Sequence, residues 1–222
     1  MSRSRPLHRK QPSPLPWPDP PYPGYDVLAK RDTPSWNEAT RRVIDARLNL
    51  PAISPRYFDA TRYETLVALA ARIVPSRPDA PTPVAALLDA RCADGPGEGY
   101  RDHRLPPLGQ AWRIGLAALD ASARAAHGRR FAALDAEAAD ALLRGLQAGE
   151  APPAGVDWQG LEPKLFFAKR VLQDLAAAYY SHPSAWSEIG FGGPASPRGY
   201  VRMDFNRRDP WEAPLVEPRD AR

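Results

Sequence analysis

Apolar residues through the middle of the chain recur at intervals of three and four, and that spacing predicts a succession of amphipathic helices. Ala39, Val43, Ile44 and Leu48 mark the first, announced by Ser35 and Glu38 at capping-box spacing and ended by Pro51. Thr61 and Glu64 repeat the device ahead of Leu66, Leu69, Ala70 and Ile73, a stripe widened by Val67 and Val74 and stopped at Pro75. Thr82-Pro83 predicts a third start, with Pro83 as first helical residue, followed by Val84, Leu87 and Leu88 up to Gly95-Pro96-Gly97. A longer helix, about Leu108 to His127, puts Leu108, Trp112, Gly115, Leu116 and Leu119 on one face, with Gly128 placed for a left-handed cap. Asp135 can cap the next, which carries Ala139, Leu142, Leu143 and Leu146 and stops at Gly149. Pro163 opens the last, where Leu165, Phe166, Leu172, Leu175, Ala176 and Tyr179 make a broad face before His182-Pro183.

No stretch alternates apolar and polar residues as a half-buried strand does, and no internal repeat is evident. The expected fold is therefore all-α: an irregular orthogonal bundle of about six helices with extended Pro/Gly-rich arms at both ends. The divisions are an arm over residues 1–34, a helical domain over 35–183 and a tail over 184–222. The 27 prolines reinforce this division, because they crowd the first arm and the tail. The arm reads as polyproline-like, with Trp17, Tyr22 and Tyr25 between its prolines. In the tail, Trp186, Ile189, Phe191, Tyr200, Phe205 and Trp211 lie among glycines and prolines that oppose regular structure. These nine residues are the candidate partner-binding set, since such apolar side chains must rest either on another protein or on the chain's own bundle.

Charge and reactive residues narrow the classes. A formal net charge of +4 spread over 30 basic and 26 acidic residues does not suggest a nucleic-acid binder. Arg3, Arg5, Arg9 and Lys10 make one compact basic run, read as a solvated tail. No apolar run is long enough to span a bilayer, and no secretory signal is expected, because the basic start leads into Gln11-Pro12-Ser13-Pro14. The compartment is left open. Cys92, the only cysteine, reads as a buried small hydrophobe, and one cysteine cannot hold an iron–sulfur cluster or a Cys-rich zinc site. His8, His103, His127 and His182 lack metal-ligand spacing, so no metal site is expected; His182 reads as a helix C-cap or a surface residue. Gly190-Phe191-Gly192-Gly193-Pro194-Ala195 matches the glycine spacing of dinucleotide sites, but it follows no strand and Pro194 and Pro197 oppose a following helix. No nucleophile elbow is present, and no catalytic or cofactor-binding residue is assigned.

Leu66-Val67-Ala68-Leu69-Ala70-Ala71-Arg72-Ile73-Val74-Pro75 and Trp112-Arg113-Ile114-Gly115-Leu116-Ala117-Ala118-Leu119-Asp120, followed by Phe131, resemble two helices of the gluconate 2-dehydrogenase subunit 3 family. Ala141-Leu142-Leu143, Leu165-Phe166-Phe167 and Tyr179-Tyr180-Ser181-His182-Pro183 resemble its later helices, so the likeness covers roughly residues 55–195. The resemblance implies a non-catalytic small subunit without its own cofactor. Its partner would be a large FAD-containing subunit of the glucose-methanol-choline oxidoreductase type, in a sugar, glycoside or polyol dehydrogenase, often beside a cytochrome c subunit. Many members begin with a twin-arginine signal, whereas this chain begins with a proline-rich arm; Arg41-Arg42 lies inside a helical pattern. Two other classes compete: a stand-alone helical maturation or chaperone-like protein for a flavoenzyme, and a small hydrolase or isomerase acting alone. Stable co-purification with a flavoprotein separates the first from the subunit reading, and turnover by the isolated chain would favour the second.

Overall fold

The computed structural model describes residues 22, 24–49, 55–74, 82–95, 99 and 101–194 of the 222-residue chain. Every regular element among them is helical, as the periodicity predicts. In order they are a 3-10 turn Val27–Lys30, α1 Glu38–Leu48, α2 Ala60–Ile73, α3 Val84–Asp94, α4 Leu108–His127, a 3-10 turn Phe131–Ala133, α5 Ala136–Ala148, α6 Pro163–Phe166, a π-helical turn Phe167–Val171, α7 Leu172–Ser181 and α8 Pro183–Glu188. The elements α6, π turn and α7 follow one another without a break and form one rod.

The centre of the bundle is α4, which buries Ala111, Trp112, Leu116, Leu119 and Ala123 against α2, α3, α5 and the rod. Gly115 is required there by proximity, because a Cβ at that position would stand 2.2 Å from the Phe166 ring. Its absence lets Phe166 meet Trp112 edge to face, with ring centroids 5.3 Å apart. A second, smaller apolar cluster joins Val27, Trp36, Ile44 and Trp186, and it ties the residues before α1 to α1 itself and to α8.

Several punctuation marks fall where expected: Asp135 accepts from Ala138 N, Gly128 and Gly149 close their helices in the left-handed region, and Pro163 is at the first turn of α6. Others move. Asn37, not Ser35, caps α1 by accepting from Thr40 N, because Trp36 turns into the second cluster before the helix begins and Ser35 is buried with it. Asp59, not Thr61, caps α2 through Arg62 N. Pro83 precedes α3 instead of opening it, and the Thr82 hydroxyl lies 3.0 Å from that of Ser184.

The rod departs from the expected face for one physical reason. A π turn holds more residues than an α turn, so the buried side carried by Leu165, Phe166 and Phe167 continues at Arg170, Val171, Asp174, Leu175 and Tyr179. Leu172, expected inside, is consequently exposed. The expectation that residues from 184 onward form no regular structure is also corrected: α8 runs to Glu188, with Pro183 at its first turn, and only then do Gly190, Gly192 and Gly193 interrupt. Residues on both sides of the expected 35–183 boundaries therefore join the folded body, Val27 and Trp186 among them.

Candidate partner-docking surface

Of the residues proposed for partner binding, the described ones are Tyr22, Tyr25, Trp186, Ile189 and Phe191; they gather near the second cluster, and the structure sorts them into buried and exposed. Trp186 is 3% exposed, and its indole nitrogen donates to Tyr180 O at 2.5 Å. This corrects the expectation that Trp186 is a surface anchor. The chain buries it against its own Val27, Trp36 and Ile44, with the Arg47 guanidinium 6.0 Å from its ring. Tyr25 packs partly buried against the same cluster, and Tyr22 lies against the backbone of Gly190, where a Cβ would come within 2.6 Å of its ring.

Ile189 and Phe191 are different: they stand 46% and 39% exposed, and Phe191 meets the Trp186 ring edge to face at 5.5 Å. Tyr180, which the sequence reading missed, is 44% exposed and adjoins them through its carbonyl's bond with Trp186. No periodic signal marks it, because a single exposed aromatic beside the buried Tyr179 looks like any other outward helix position. Trp17, Tyr200, Phe205 and Trp211 lie outside the described residues.

Hydrogen bonds hold this corner in register. Val27 N donates to Ser187 Oγ at 3.1 Å, the Lys30 ammonium to Gly192 O, Arg47 to Ser181 O at 2.9 Å and the Tyr179 hydroxyl to Glu188 at 2.6 Å. His182, expected at a C-cap or on the surface, ends α7 and also caps α8: its Nδ1 is 2.7 Å from Ser184 Oγ and accepts from Ser184 N. Burial lowers its pKa below the ordinary histidine value, so the neutral ring that can accept this bond is the folded form. A depressed histidine pKa gives stability that is complete above the unfolded value of about 6.5 and is lost as pH falls below it. The melting temperature should therefore drop between about pH 7 and pH 5, and His182→Asn, which keeps an acceptor at the cap without titrating, should flatten that part of the curve. Parallel curves for the two proteins would show that His182 is not responsible.

Elsewhere, Cys92, Asp89 and Asp120 serve the fold. Cys92 is buried, and desolvation pushes its thiol up to about 12, which suits a structural residue. Asp89 accepts from the amides of Arg56, Tyr57 and Phe58 at 2.7, 3.1 and 3.0 Å and fixes the turn into α2. Asp120 accepts from Phe131 N at 3.0 Å and pairs with Arg124 at 3.1 Å. Among the described residues, no group of three His, Cys, Asp or Glu side chains could hold a metal ion, and no helix is long and apolar enough to cross a membrane.

Among the described residues, fold and corner together describe an all-α protein that exposes Tyr180, Ile189 and Phe191 beside the cluster joining α8 to α1 and the residues before it. The chain belongs to the gluconate 2-dehydrogenase subunit 3 family: the family's profile matches residues 60–193, more than half its length, from the first turn of α2 to the glycines beyond α8. That family is a subunit of a dehydrogenase complex. No curated protein and no solved structure matches the chain.

Proposed function

We propose that this chain is a non-catalytic accessory subunit that binds and stabilises the large FAD-containing subunit of a sugar, glycoside or polyol dehydrogenase, a flavoprotein of the glucose-methanol-choline type. The family membership of residues 60–193 carries the reading. The chemistry of the chain is compatible with it, since Asp89, Asp120 and Cys92 are committed to packing and to backbone amides. Flavin chemistry would reside in the partner, and a cytochrome c subunit would pass on the electrons. Ile189, Phe191 and Tyr180 supply apolar contact area on the chain's side, the kind of rigid, partly exposed side chains that anchor interfaces.

Co-expression tests this directly. With a flavoprotein encoded beside it, the tagged chain should retain that protein stoichiometrically through gel filtration, and dehydrogenase activity should elute with the complex. Alone it should show no flavin or haem absorption and no turnover. A chain that raises the yield of active flavoprotein but elutes apart from it would be a maturation factor, and this proposal would fail.

A further inference from the structure

Away from the aromatic corner, the turn before α4 and the π turn of the rod enclose an open groove of about 540 Å³. Among the described residues, Arg101, Arg104, Lys169 and Arg170 line it, and Asp102 is the one carboxylate among them. Two of these cations are already engaged: Arg104 forks onto Asp102 at 2.7 and 3.0 Å, and Arg170, at the buried floor, faces Asp174 at 3.8 Å. Arg101 and Lys169 are exposed, and among the described residues no carboxylate pairs with either. Gathering like charges around one concavity raises its potential, an arrangement an incoming anion relieves. The groove is much roomier than one carboxylate or phosphate needs, so a length of chain carrying several anionic groups fits it better than a single small ion.

The rod extends this groove into a longer face. Beyond Lys169, Leu172, Gln173, Ala177 and Tyr180 are exposed and Ala176 is half-buried, a set that follows one side of the helix. From Leu172 to Tyr180 this is about 12 Å of helix, with alanines in the middle that let another backbone come close. One end is cationic, the other apolar and aromatic.

We propose that this face is a docking surface for an acidic segment of a protein partner, whose carboxylates enter between Arg101 and Lys169 while an apolar residue rests on Leu172 and Tyr180. The partner's identity as the large flavoprotein rests on the accessory-subunit reading; the chemistry of the segment rests on the groove alone.

The full chain should bind a short fluorescein-labelled peptide rich in glutamate and containing leucine, read by fluorescence anisotropy at low salt. Arg101→Glu with Lys169→Glu should weaken binding at least about tenfold. Arg101→Gln with Lys169→Gln, which adds no repulsion, should weaken it less. Arg42→Glu with Arg129→Glu makes the same change of net charge on exposed residues elsewhere, and should leave binding nearly intact. Equal losses from the two reversed pairs would reduce the effect to overall charge and overturn the proposal. So would displacement of the peptide by millimolar inorganic phosphate, which would indicate a small-anion site. With the co-expressed flavoprotein, the groove variants should lose co-purification that the wild-type chain shows. If both are retained equally, the surface is wrong while the subunit reading stands. If the wild-type chain is never retained, the subunit reading fails, and the peptide alone decides the groove.

Discussion

Replacing Trp186 with alanine is expected to destabilise the chain itself by about 3–5 kcal/mol, the range for deleting a buried aromatic side chain. The indole belongs to the second cluster with Val27, Trp36 and Ile44, so its loss opens a cavity in the packing that joins α8 to α1 and the residues before it. It also leaves the Tyr180 carbonyl without the indole donor now 2.5 Å away. A folded domain's whole stability is about 5–15 kcal/mol, so the variant should melt much earlier and reach its urea midpoint at lower concentration. Phe191→Ala is the instructive contrast. That ring is 39% exposed, and its removal should cost only about 1 kcal/mol of stability while weakening association with the partner. If Trp186→Ala melted like wild type and lost only its partner, the side chain would be an interface anchor and the buried placement would be wrong. Truncation after Pro183 cannot make this distinction, because it removes Ala185 and Trp186 from the core together with the exposed residues.

The elements legible in the sequence are those whose signals are local. Asp135, Gly128, Gly149 and Pro163 act within one turn of their own helix, and each stands where the pattern puts it. The misplacements share a different cause, which is competition from distant contacts. Ser35 and Glu38 have capping-box spacing, yet burial of Trp36 takes the serine inward and leaves Asn37 at the helix start. The π turn is invisible to a search for a 3.6-residue period, and it rotates Leu172 outward while bringing Arg170 and Asp174 in. Tyr180 escaped notice for another reason: it stands beside Tyr179, which is buried as expected, and one exposed aromatic next to a buried one carries no periodic signal. The density of aromatics near the C-terminus was legible, but composition cannot say which rings bind the chain's own bundle. For Trp186, that depends on residues some 150 positions earlier, Val27 and Trp36.

Asp174 supports the other large effect, and nothing near it in sequence suggests the role. Its carboxylate accepts from the Trp112 indole at 2.9 Å, with the Arg91 guanidinium at 3.6 Å and that of Arg170 at 3.8 Å. Both Asp174 and Arg170 are buried, so the aspartate offsets a positive charge that the core could otherwise hold only at several kcal/mol. Asp174→Ala removes the anion, leaves the indole N–H without this acceptor and leaves a buried guanidinium without its facing carboxylate. The expected cost is about 3–5 kcal/mol, as for breaking a buried ion pair from one side. Asp174→Asn should cost less, because its amide oxygen can still accept from Trp112 while the charge is gone; the difference between the two variants isolates the indole bond and the space filled. Arg170→Met in the Asp174→Asn background should recover part of the loss, since it removes the buried charge that Asp174 faces. Urea denaturation of the three variants and the wild-type chain checks all of this. If Asp174→Ala unfolded within about 0.5 kcal/mol of wild type, the size of an ordinary surface substitution, the buried network would carry no stability.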